Sequence, residues 1–134
     1  SGSHRFLIDL AATDGGGFPR NGLLYRLLSY YKLGYLTLEE VIYKCSIAPA
    51  QFFSLPSKGH LSVGADADIA VVDLATAETV MTWAMGKPIL IDGIVVGSGA
   101  SLLVTPAGKN ACRERQIPCQ VIHPEEGRFY QDRK

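Results

Sequence analysis

The chain has 134 residues, enough to enclose the core of one domain. Hydrophobic residues make up 47% and charged ones 19%, a globular balance that excludes a disordered chain. Thirteen basic and thirteen acidic residues cancel, so nucleic acid and anionic membranes are not expected partners, and no apolar run approaches the ~20 residues a bilayer span needs.

Residues 1–4 read as a tag remnant and stay outside the fold argument. No basic-then-apolar leader follows them. The three cysteines, Cys45, Cys112 and Cys119, are an odd set in a chain with an adequate core. They are expected to be reduced and structural, in a cytoplasmic protein. Cys112 and Cys119 have no recognised zinc spacing.

Phe6–Ala12 is a mostly apolar run that closes on Thr13-Asp14 and three glycines, which predicts a buried strand. After Phe18-Pro19, the residues Leu23, Leu24, Leu27, Leu28 and Tyr31 share one helical stripe, and Gly34 stops that helix. Thr37-Leu38-Glu39-Glu40 is a capping box opening a helix that turns Leu38, Val41, Ile42 and Cys45 inward. Pro49 is expected to end it or to start a short helix over 50–53.

Beyond Gly59 the pattern becomes strand-like. Ile69–Asp73 and Thr79–Met85 predict strands, then a turn at Gly86-Lys87 and a strand over Pro88–Ile91. Asp92-Gly93 suits a type I′ hairpin turn returning into Ile94–Val96. Leu102–Val104 reads as a strand, Thr105-Pro106 as cap and first turn of a helix reaching Gln116, and Ile117–Ile122 as an edge strand marked by Pro118. From Pro124 the tail is charged and expected to be loose. The order of elements is α+β.

Within this pattern, residues 59–74 carry the most specific wording, G-x-L-x-x-G-x-x-A-D-[IVL]-x-x-x-D, with Gly59, Gly64, Ala67-Asp68 and Asp73 at the fixed positions. The motif resembles the join in the amidohydrolase superfamily where the catalytic barrel hands over to a small β domain. That superfamily includes dihydroorotases, hydantoinases, N-acyl-D-amino-acid deacylases and deaminases. The resemblance spans roughly residues 5–97. It implies an α+β segment: the last strand and closing helices of a (β/α)8 barrel, then the C-terminal arm of a small β-sandwich domain. On this division residues 5–58 derive from the barrel and 59–97 form the β arm. An extra helix and strand occupy 98–123, and 124–134 form the tail.

The same resemblance assigns the chemistry. Asp14 matches the aspartate ending the eighth strand, at the barrel face that carries active sites. There it would act as a catalytic proton shuttle, and as a shared ligand to a divalent metal, zinc before others, in the complete enzyme. Read from this chain alone, Asp14 equally suits a turn or a helix cap. Gly17-Phe18-Pro19-Arg20, followed by a Leu/Tyr-rich helix and Thr37-Leu38-Glu39-Glu40, is closest in wording to the N-acyl-D-amino-acid deacylases, with a shorter loop. Arg20 would then bind a substrate carboxylate; a solvated arginine in a first helical turn is the plain alternative.

The family's metal site draws on paired histidines on other strands. His4, His60 and His123 form no such pair, so each reads as a surface imidazole and no metal is expected in this chain. Gly15-Gly16-Gly17 lacks the lysine and spacing of a phosphate loop, and no G-x-S-x-G elbow exists. Asp66 and Asp68 lack the series of a calcium loop and are expected to bond turns before the strand.

The leading expectation is therefore the C-terminal portion of a metal-dependent amidohydrolase that cleaves an amide or cyclic amide C–N bond, inactive as an isolated chain. Its expected partners are the remaining N-terminal barrel or a second copy, and a small-molecule amide substrate in the complete enzyme. The alternatives are a non-catalytic assembly or docking module derived from the family, and a segment of a deaminase of the same superfamily.

Overall fold

In a computed structural model the described residues are 10–12, 22–99 and 101–127. The leucine stripe forms one face of α1 (Leu23–Lys32), with Leu28 only 1% exposed and Leu24, Leu27 and Tyr31 packed beside it. Gly34, at φ +77°, ends the helix in a Schellman turn: its N–H donates to Tyr31 O at 2.9 Å, and that of Tyr35 to Tyr30 O at 3.0 Å.

Thr37 caps α2 (Leu38–Ile42) as expected. Its Oγ1 accepts from the Glu40 N–H at 3.2 Å, and Glu40 Oε2 accepts from the Thr37 N–H at 2.7 Å. Of its two expected places, Pro49 takes the first turn of a short helix. A single π turn, Tyr43–Ile47, joins α2 directly to α3 (Ala48–Phe52), with the Ala48 N–H reaching back five residues to Tyr43 O. Proline lacks an N–H and crowds the carbonyl four residues back, and the wider π turn absorbs both defects. Val41 is fully buried, but Ile42 is half exposed, a correction to its expected inward position. The flank it occupies borders an open cleft instead of a packed layer. Lys44 is buried, with its ammonium 5.9 Å from the Tyr43 ring centroid.

Strands β1 (Ile69–Asp73), β2 (Glu78–Ala84), β3 (Lys87–Ile91) and β4 (Ile94–Val95) form an antiparallel meander in that order. Asp92 and Gly93 have φ +48° and +78°, the type I′ turn that their sequence predicts. The β2–β3 turn sits one residue earlier than expected. Met85 (φ +51°) and Gly86 (φ +74°) are its central pair, and Lys87 already pairs with Ala84. At the β1–β2 turn Ala77 adopts φ +63° while 97% of its surface is buried: its methyl group completes a cluster with Leu28 and Val41, with Val72 packed alongside. This cluster joins helices to sheet.

After residue 100, β5 (Leu102–Val104) and β6 (Cys119–Val121) pair in parallel across a 3-10 turn, Pro106–Gly108, and helix α4 (Lys109–Glu114). Thr105 makes no side-chain cap; its carbonyl accepts from the Gly108 N–H at 2.9 Å, which tightens the first turn. The helix stops short of Gln116, whose φ of +54° reverses the chain. Pro118 lies just outside β6 and accepts from the Leu102 N–H. The start of the tail is not loose. Ile122 is buried with Ala50 and Leu55, Ser54 Oγ donates to His123 O at 3.0 Å, and Gly127 lies against the carbonyls that end α3. Leu10–Ala12, the described part of the expected first strand, join no ladder, and Phe6–Asp9 lie outside the described residues. A barrel strand draws its backbone partners from neighbouring strands, and among the described residues none pairs with these three.

The loop leaving α3 passes directly over the helical rod at Gly59. A Cβ there would stand 2.8 Å from Ser46 O and 2.9 Å from Ala50 Cβ, on a backbone at φ +83°. Gly64, at φ +89°, has open space around it. Gly64→Ala is expected to cost about 1 kcal/mol through backbone strain alone, and Gly59→Ala about 2–4 kcal/mol because the steric clash adds to it. Urea unfolding of the two variants checks the order; equal losses would mean that the close approach at Gly59 is unimportant.

Candidate functional site

Between α3 and β1 the chain makes an irregular passage, 53–68, whose backbone groups have few ladder partners. Side chains supply them. Lys58 is central: its ammonium lies 3.0 Å from Asp66 Oδ2 and hydrogen-bonds Asp68 Oδ2. Ser57 Oγ donates to Asp66 Oδ2 at 2.9 Å, and the Asp66 N–H donates to Ser57 O at 2.8 Å. Asp68 faces both ways, because its Oδ1 accepts the Met85 N–H at 2.7 Å and so fixes the β2–β3 turn. The Gly86 N–H donates to Ala67 O at 3.0 Å beside it. Asp73, the motif's last position, accepts from the Ala75 N–H with Oδ1 and from the Ala77 N–H with its carbonyl. It therefore sets the turn that carries Ala77 into the core.

The charges respond to this packing. The hydrogen bonds from Lys58 and Ser57 hold the Asp66 carboxyl below its ordinary range. Burial opposes ionisation of Asp68, but the Lys58 ammonium and the Met85 N–H outweigh it and lower that carboxyl too. Burial likewise opposes the charge on Lys58, and its two carboxylate partners reverse the effect and raise it. Asp66 and Asp68 thus bond turns, as expected from their positions before the strand, with a lysine as their common partner.

His60 is more than a surface imidazole. Its Nε2 lies 2.8 Å from Pro56 O and its Nδ1 accepts from the Ser62 N–H at 3.4 Å, so both nitrogens brace the loop. His123 Nδ1 lies 3.3 Å from Glu125 Oε1. Asp14, Arg20 and His4 lie outside the described residues. Among the described residues no three His, Cys, Asp or Glu side chains converge as metal ligands, and the donors of His60 are already committed to the loop. This donor set does not fit a catalytic divalent ion.

Next to the join is an open, mainly apolar cleft of about 890 Å³, with Leu24, Val41 and Ile42 on its helical wall and Ile69, Ala70 and Val72 on its strand wall. Large apolar side chains stay exposed beyond it, among them Val63, Ile94 and Val95. No helix among the described residues is long and apolar enough to cross a membrane.

The model of the amidohydrolase family matches residues 7–100, well over half of the chain. The chain belongs to that family. It is 47% identical over 51 residues to the dihydroorotase of Bacillus caldolyticus, covering 38% of this chain and 12% of that enzyme. It is 49% identical over 47 residues to the allantoinase of Deinococcus radiodurans, covering 35% of this chain and 10% of that one. The solved structure of the β-aspartyl dipeptidase of Fervidobacterium islandicum, in complex with a β-Asp-Leu dipeptide, superposes with a TM-score of 0.52 at 28% identity. That match covers 67% of this chain and 24% of the dipeptidase. The chain thus spans about an eighth of the length of the dihydroorotase that it matches. The resemblance read from the join motif holds at the level of the family.

The Lys58 cluster has a defined pH signature. Asp66 and Asp68 are lowered on folding, so their stabilisation is complete above the unfolded carboxylate pKa of ~4 and is lost as pH falls through the folded values. Lys58 is raised, so its part persists until pH rises past ~10.4 toward the folded value. Lys58→Met should therefore destabilise the chain near neutral pH and converge on the parent as pH falls through the lowered carboxylate values of the folded state. Thermal unfolding across pH measures this; a constant difference at every pH would show that Lys58 acts only by packing.

Proposed function

We propose that this chain is the C-terminal portion of a metal-dependent amidohydrolase that hydrolyses a C–N bond, carrying the end of a catalytic barrel and the start of a small β domain. The single observation that carries this reading is the family match over residues 7–100, with the join motif built as a rigid corner in its middle. Helices α1–α3 are then the closing layer of the barrel, and β1–β4 the C-terminal arm of a β sandwich. The open cleft and the exposed apolar side chains beside it support a surface made to be covered by more protein. The rest of the barrel is the cover we favour; a second copy of the chain is the alternative.

Asp14 is the residue proposed for catalysis. At the end of the last barrel strand its carboxylate would accept a proton from the attacking water and return it to the departing nitrogen, so that the C–N bond breaks without expelling an amide anion. The metal, zinc in our reading, would be held by residues outside those described here and would supply the acidity of that water. Arg20, six residues on, would orient a substrate carboxylate by its two-pronged hydrogen bonding. The identity to dihydroorotases and an allantoinase supports a cyclic amide substrate over the acyl-amino acid suggested by the Phe18-Pro19-Arg20 wording.

The test is Asp14→Asn in the complete enzyme. The variant should fold and retain its metal, yet lose about 10²–10⁴ in turnover, the usual contribution of an acid–base group. Turnover above about a tenth of the parent's would remove Asp14 from the mechanism.

A further inference from the structure

The chain beyond residue 100 lies outside the family match, yet it returns to the helix that precedes the corner. Its own framework is short-range. Strand β5 pairs in parallel with β6 across α4, and among the described residues neither strand shares a ladder with the β1–β4 meander. The stretch that follows β6 ties this unit to α3. Ile122 is buried against Ala50 and Leu55, with Phe53 packed alongside. Ser54, held at φ +54°, donates its hydroxyl to His123 O at 3.0 Å. Gly127 is buried against the carbonyls that end α3: a Cβ there would stand 2.6 Å from Phe52 O and 3.2 Å from Gln51 O. Glu126 walls one side of a cavity of about 600 Å³ whose lining includes Ile47, Leu55, Lys58 and His60.

We propose that residues 101–127 form a latch, a unit that opens and closes as one body on the end of α3 while the helices and the meander stay folded. Three unlike contacts close it: the apolar plug at Ile122, the Ser54 hydroxyl bond, and a backbone approach at Gly127 that leaves no room for a side chain. A unit with a ladder of its own and a small attachment to its neighbour opens at a lower free energy than the whole fold.

Closure acts on the first step of the corner. Residues 53–58 leave α3 through the Leu55 N–H, bonded to Ala50 O at 2.9 Å, and the Lys58 N–H, bonded to Leu55 O at 3.0 Å. The latch covers this stretch with Ile122 and the His123 carbonyl. Opening would bare Ala50 and Leu55, take the acceptor from the Ser54 hydroxyl and remove Glu126 from the cavity wall.

Native-state hydrogen exchange of the 134-residue chain in low urea tests this. The Leu102, Ile117 and Ile122 amides, bonded to Pro118 O, Cys112 O and Val104 O, should share one opening reaction with a common urea dependence. Their protection should be at least about tenfold below that of the hydrogen-bonded amides in the β1–β2 ladder. Gly127→Ala loosens the latch at its far end. The φ of −68° there suits any residue, so the change acts through crowding, closest of all at Phe52 O. It should speed the three latch amides, and the Leu55 amide beneath Ile122, about tenfold or more while the ladder amides keep their rates. Ser54→Ala removes only the hydroxyl bond and should move the same amides the same way by about three- to tenfold. Latch amides that exchange only together with the ladder would overturn the proposal, since the unit would then belong to one cooperative fold. So would latch amides that keep the parent's rates in Gly127→Ala, a Leu55 amide that stays slow while they speed up, or ladder amides that speed up equally in both variants.

Discussion

One ammonium group holds the two halves of this molecule in register. Lys58 arrives at the end of the helical segment and binds Asp66 and Asp68, and Asp68 passes the constraint on to the Met85 amide in the β2–β3 turn. Exposed ion pairs usually contribute little, since solvent screens them and long side chains lose freedom in forming them. This one differs in connectivity. Each carboxylate also takes a hydrogen bond besides that from Lys58, so the charges position a loop that has no ladder of its own. Gly59 lets the loop pass against the Ser46 carbonyl, and Asp73 shapes the turn that inserts Ala77 between Leu28 and Val41. The family's join motif is thus a set of backbone solutions to one sharp corner.

That corner explains why the most specific wording in the sequence carries no catalytic group. On the proposed reading, where the corner joins a barrel to a small β domain, a fixed angle there would keep side chains on strand ends in place, since small displacements at an active site are costly. Among the described residues few large side chains are completely buried, with Leu28 and Val41 foremost, while the cleft and outer strands leave apolar groups open. Such a surface fits a piece whose core continues into more protein.

Much of the local structure was legible in the residues. Leu23 to Tyr31 at helical spacing, the Thr37–Glu40 capping box and the Asp92-Gly93 turn each carry their own short-range signal, and each forms as read. The misses share a cause. Met85 takes a left-handed conformation that its side chain does not favour, because the Asp68 carboxylate, distant in sequence, holds its amide there. Pro49 stands in the first turn of the short helix α3, one of its two expected places, and the π turn before it joins that helix to α2. Ile42 follows the inward stripe yet faces an open cleft, which periodicity cannot register. At the candidate site, the turn-bonding role of Asp66 and Asp68 was readable from their place before a strand. Lys58 was not, because a lysine eight and ten residues upstream follows no helical or strand repeat. Asp14 and Arg20 rest on family resemblance, and their placement lies outside the described residues.

The central claim, that the Lys58–Asp66–Asp68 corner is a rigid joint, is tested most directly by native-state hydrogen exchange at single amides. The Asp66, Met85 and Gly86 amides, bonded to Ser57 O, Asp68 Oδ1 and Ala67 O, should exchange as slowly as those in the centre of the β1–β2 ladder. Fast exchange of these three while the hydrogen-bonded amides of the β1–β2 ladder stay protected would contradict the claim, and would make the corner a hinge between two separately stable parts.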